Sequence, residues 1–147
     1  MKRLYVSLTG LAALASVHGA AAADVTVSDA WVRETIGAGK VSAGYAHIAN
    51  AAAAADRILN ISTAAGTAEL HQSEMRGGMM RMDAVKDLAV PAKGAVDLKP
   101  GGYHIMITDI AHPLKVGESV DLVFTFEHAG KITVPAKVAP IAASKAP

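Results

Sequence analysis

The sequence predicts an all-β fold, a sandwich or barrel built as one domain. Three observations support it: short apolar runs alternate with polar residues at a period of two, Gly, Pro, Asn and Asp punctuate the runs, and no stretch shows a helical apolar face.

Residues 1–23 read as an export leader. Lys2 and Arg3 precede an apolar run from Leu4 to Val17, and Ala21-Ala22-Ala23 supplies a small-residue cleavage signal before Asp24. Cleavage is expected near Ala23/Asp24, with no later apolar stretch long enough to span a bilayer. A lipid-anchored form would need a cysteine at the cleavage point, and the chain has none. The 14 basic and 13 acidic residues nearly balance, and the leader removes two bases and no acid. A near-neutral domain without clustered Lys or Arg lacks the electrostatic footprint of a nucleic-acid binder. One core is expected over residues 24–138.

Along that domain, Val25-Thr26-Val27 opens the strand pattern, followed by Ile58-Leu59-Asn60-Ile61, by Val120 to Phe126, and by Ile132-Thr133-Val134. About nine strands are expected in all. The alanine run 51–55 has no apolar face to bury and is read as a loop, against alanine's helix propensity. Pro91, Pro100-Gly101-Gly102, Pro113 and Gly117 mark turns, and His128-Ala129-Gly130 reads as a hairpin connection. Residues 139–147, rich in Ala and Pro with no aromatic residue or large apolar cluster, are expected to form a flexible tail.

The chemistry-bearing residues are unevenly placed. The five methionines beyond Met1 all lie between Met75 and Met106. In Tyr103-His104-Ile105-Met106-Ile107, strand alternation places His104 and Met106 on one face and the isoleucines on the other. Upstream, Gly77-Gly78 favours a tight turn that brings the His71 arm alongside the Met82 arm. On a regular strand after that turn, Met80 and Met82 share a face opposite to Met79 and Arg81. A methionine is most often core filling. Four of them within eight residues, interrupted by two glycines and flanked by Arg76 and Arg81, instead suggest a partly exposed loop.

His71, Met82, His104 and Met106 offer two imidazoles, two thioethers and no thiolate. Soft thioether sulfur with imidazole selects copper(I) over zinc, calcium or magnesium. The missing cysteines also exclude a blue-copper electron-transfer centre, so an ion held here is carried and not cycled. Met80 rivals Met82 as a ligand, and Met75 and Met79 are possible auxiliary donors. His47, His112 and His128 are assigned ordinary structural or surface roles. Thioethers bind no proton in the accessible range, so copper affinity is expected to fall below about pH 6.5 as imidazoles protonate. No His-Glu-x-x-His or nucleophile motif occurs, and an enzyme is not expected.

The spacing His71, ten residues, Met82, twenty-one residues, His104, one residue, Met106 resembles that of the periplasmic PCuAC copper chaperones. Ala30-Trp31-Val32-Arg33, Ala43-Gly44-Tyr45 leading to Asn50, and Gly101-Gly102-Tyr103-His104-Ile105-Met106 are similar to the family's other recurrent stretches. The resemblance implies a cupredoxin-like, Greek-key β-sandwich in the periplasm, working as a monomer with one copper(I) ion per chain. It also implies delivery to the copper-centre subunit of cytochrome c oxidase beside a Sco-type protein. The residues alone leave two alternatives open: copper buffering for tolerance, or a non-metal envelope binding module.

Overall fold

The structure, a computed structural model, describes residues 23–38 and 40–147. The expected leader lies almost entirely outside them. Among the described residues there is no helix, and none is therefore long and apolar enough to cross a membrane.

Ten strands form: β1 (Val25–Arg33), β2 (Ser42–Asn50), β3 (Asp56–Ser62), β4 (Thr67–Arg76), β5 (Met79–Ala84), β6 (Leu88–Val90), β7 (Gly94–Leu98), β8 (Tyr103–Thr108), β9 (Ser119–Phe126) and β10 (Gly130–Ala139). The hydrogen-bonded order is β5-β4-β8-β7-β2-β1-β10-β9-β3-β6. This continuous sheet folds over on itself, so that β3 packs against β4 and β6 against β2 and β7. The turn of the fold is β1. It runs antiparallel to β2, and its end, Trp31–Arg33, pairs parallel with β10. A register shift between Ser28 and Trp31, with Asp29 at φ 51°, bends the strand where it passes between the layers.

The interior follows from the alternation. Val32, Ile48, Ile58, Ile105, Ile107, Leu122, Phe124 and Val138 are fully buried and belong to one cluster. Burying side chains of this size contributes roughly 1.5–3 kcal/mol each relative to exposure. In β8 every second residue points into this core, which obliges His104 and Met106 to point out of it.

The structure differs from expectation in two places. Residues 139–147 are not free: Ala139 is still in β10, and Ala143 and Ala146 pack on Trp31 and Tyr45. Arg33 Nη2 donates to the Ala143 carbonyl at 3.1 Å, and the Ile141 amide donates to Glu34 Oε1 at 3.0 Å. Small side chains suffice because the two aromatic rings, 4.4 Å apart, provide the apolar surface. The methionine-rich segment is a strand, not a loop: exposed as expected, but hydrogen-bonded along β4.

Candidate metal centre

The outer face of the β5-β4-β8-β2 layer gathers the candidate ligands. Antiparallel pairing sets His71 opposite His104 across β4 and β8, and Ser73 opposite Met82 across β4 and β5. Met106 follows His104 by two residues on the same strand face. All four candidates therefore stand on one face, drawn from three adjacent strands. The imidazole centroids of His71 and His104 are 6.0 Å apart with an interplanar angle of 26°. Met82, His104 and Met106 line one open cavity, together with Arg33, Ser73 and Tyr45. His71 is not among its lining residues and stands beside His104.

The break between β7 and β8 positions His104. These strands run in succession along β2, β7 opposite Ala46–Asn50 and β8 opposite Ser42–Gly44, with Pro100-Gly101-Gly102 between them. Gly101 takes φ 81°, a conformation costly for a residue with a Cβ. The turn leaves the Gly102 carbonyl aimed at β4, where it accepts from the Ser73 amide at 3.0 Å and from His104 Nδ1 at 3.1 Å. A carbonyl can only accept, so Nδ1 carries the proton and Nε2 of the neutral ring keeps its lone pair. His71 repeats the arrangement more weakly, its Nδ1 lying 3.4 Å from the Glu69 carbonyl. Metal-ligating imidazoles are commonly oriented by such a contact through the second nitrogen.

Burial divides the set. His104 is only 5% exposed, whereas Met82 is 49% exposed on the edge strand β5. Opposite Met106 is Ala43, whose small side chain leaves room above the sheet. Burial pushes the Tyr45 phenol above its ordinary pKa, and the Arg33 guanidinium, 5.6 Å from its ring centre, acts in the opposite direction. Tyr45 thus stays a neutral wall of the cavity. Sequence reasoning missed Arg33, Ser73 and Tyr45 as part of this surface. Ala43-Gly44-Tyr45 and Trp31-Val32-Arg33 were visible stretches, but only the pairing of β1, β2 and β8 brings them together.

The remaining candidates sort by face. Met80 shares the face of Met82 but pairs with Met75 nearer the hairpin end, and does not line the cavity. Met79 is on the opposite face. His47 pairs with Asp97 at 2.6 Å, His112 lies in an exposed loop and His128 in the β9–β10 turn. Among the described residues no group of three or more His, Cys, Asp or Glu side chains is placed to hold an ion.

Known proteins share this architecture. The copper-bound PCuAC domain from PmoF2 superposes with a TM-score of 0.69, over 84% of this chain and 99% of that one, at 22% identity. The solution structure of CuI-DR1885 from Deinococcus radiodurans gives a TM-score of 0.67 at 28% identity, covering 85% of each chain. The cupredoxin-like all-β fold expected from the sequence is thereby shown. A protein of Leifsonia xyli subsp. xyli, "Putative lipoprotein Lxx21020", is 32% identical over 142 residues, which are 91% of this chain and 84% of the relative. The family model described as "Putative lipoprotein LpqE-like" matches residues 25–138, from the first residue of β1 almost to the end of β10. The chain belongs to the LpqE-like family.

Proposed function

We propose that the protein is an exported carrier of copper(I), holding one ion between His71, Met82, His104 and Met106 and passing it to another protein. The observation that carries this reading is the convergence of two imidazoles and two thioethers on one sheet face, with His104 Nδ1 committed to a backbone carbonyl. Such neutral donors suit a soft monovalent ion. They leave its charge uncompensated, and Arg33 adds a further positive group at the cavity wall. Both features favour release to a thiolate acceptor. The copper(I) form of the Deinococcus protein supports the choice of ion.

The binuclear copper centre of cytochrome c oxidase is the acceptor we favour, with a Sco-type protein acting beside the carrier in the periplasm. Anaerobic titration with copper(I), followed by X-ray absorption, tests the first part: a tightly held first equivalent with both sulfur and nitrogen scattering is expected. An absence of uptake, or a shell without sulfur, would overturn it. Mixing the loaded carrier with a purified soluble oxidase copper domain tests the second. Transfer is expected, and complete retention would assign the protein to copper storage instead.

A further inference from the structure

Three methionines lie beyond the four-residue centre, and the sheet register divides them. Met75 and Met80 are direct cross-strand partners, while Met79 is paired with Arg76. The face of Met79 also carries Glu74, Arg81 and Asp83. Met75 and Met80 share the other face with His71, Ser73 and Met82. The Ser73 amide donates across to Gly102 on the β8 side, so odd-numbered β4 residues turn their backbone groups away from β5. Ladder alternation then makes Met75/Met80 a non-hydrogen-bonded pair, the type in which side chains approach most closely. The residues are 62% and 59% exposed, so both side chains stand largely in solution.

We infer that Met75 and Met80 form a two-thioether landing site for copper(I) at the hairpin tip, from which the ion passes down the strand face to Met82. This rests on the reading of the protein as a copper(I) carrier. Two residues along β5 separate Met80 from Met82, about 7 Å. That spacing lets flexible thioethers pass an ion between them. In the transfer, a bond from copper to Met82 Sδ forms as the bonds to Met75 Sδ and then Met80 Sδ break. No electron or proton moves, because the sulfurs stay neutral and the ion stays monovalent. Lacking imidazole, the landing pair binds on the order of tenfold or more weakly than the centre.

The test is anaerobic copper(I) titration of the full mature chain carrying 13C-methyl methionine, read by NMR. Methyls of Met82 and Met106 are expected to shift with the first equivalent, and those of Met75 and Met80 together with the second. Met79, 60% exposed on the opposite face, should stay in place and serves as the control for nonspecific thioether binding. The double variant Met75→Leu, Met80→Leu should keep first-equivalent binding and lose the second. Static Met75 and Met80 methyls beside shifting Met82 and Met106 would overturn the landing site alone. Equal movement of Met79, or capture of the first equivalent by Met80 in place of Met82, would also overturn it. A titration in which no methionine moves would overturn the carrier reading and this inference with it.

Discussion

The β4–β5 and β9–β10 hairpins share a plan of alternating strands joined at glycine, yet they are held very differently. Both strands of the β9–β10 hairpin have a second neighbour, β3 on one side and β1 on the other, and Leu122, Phe124 and Phe126 fill the core beneath them. Its turn is also tethered from outside. The buried Asp56 carboxylate accepts from the amides of Arg57, His128 and Ala129 at 2.7, 3.0 and 2.9 Å. By contrast β5 pairs only with β4, buries none of its six residues and follows a Gly77-Gly78 turn where an added Cβ would meet nothing within 4 Å. Local stability follows buried contacts and neighbours, so the methionine hairpin is the part of this layer most able to open. The proposed centre thus joins a fixed imidazole, His104, to a thioether, Met82, on a yielding edge.

Breaking the fixed hairpin gives the largest effect. Phe124→Ala should destabilise the domain by about 4 kcal/mol in urea unfolding, as expected for a fully buried aromatic residue. Met80→Ala on the free hairpin should cost less than about 0.5 kcal/mol. Similar losses at the two positions would erase the contrast.

Asp56 comes next. Burial alone would raise its pKa, but the three amide donors outweigh burial and hold the carboxyl below the usual aspartate range. A group whose pKa is depressed in the folded state stabilises it above the unfolded value, near 3.9, and loses that contribution as pH falls through the native value. Asp56→Ala should therefore cost about 2 kcal/mol at neutral pH. The gap from the parent protein should narrow in acid below about pH 4. An unchanged gap at low pH would show that the carboxylate's charge is not what ties the turn.

Much of this contrast is legible in the sequence, and the remainder has physical reasons for being hidden. Gly77-Gly78 marks a two-residue turn, and both glycines take positive φ, 58° and 77°. His104-Ile105-Met106-Ile107 alternates strictly enough to place two candidate ligands on the outer face. Strand period says which side chains share a face, but not whether anything covers that face. The methionine segment therefore suggested a loop although it is an uncovered strand, and residues 139–147 suggested a tail although Trp31 and Tyr45 receive them. Arg33 reaches the cavity only through pairings between distant strands, which no local pattern encodes.

At the free turn the expected effect is smaller. A Cβ added at Gly77 meets nothing within 4 Å, so Gly77→Ala carries only the backbone cost of its positive φ, about 1 kcal/mol. Because the hairpin is weakly coupled to the core, that cost should appear as faster amide exchange in β5, with β9 and β10 unchanged. Exchange rising equally in both hairpins would mean that they open as one unit.

The smallest change in stability should accompany the sharpest separation of structure from chemistry. Met82→Leu keeps size and apolar character on a strand without a buried face, so unfolding should shift by less than about 0.5 kcal/mol. The sulfur is gone, however, and copper(I) affinity should fall at least about tenfold, equivalent to about 1.4 kcal/mol of binding. Met79→Leu, on the same strand but its other face, should change neither quantity. If Met82→Leu left affinity intact while Met79→Leu lowered it, the outer face would not be the binding face. The edge position of β5 would then concern the exposure of methionine and not the capture of an ion.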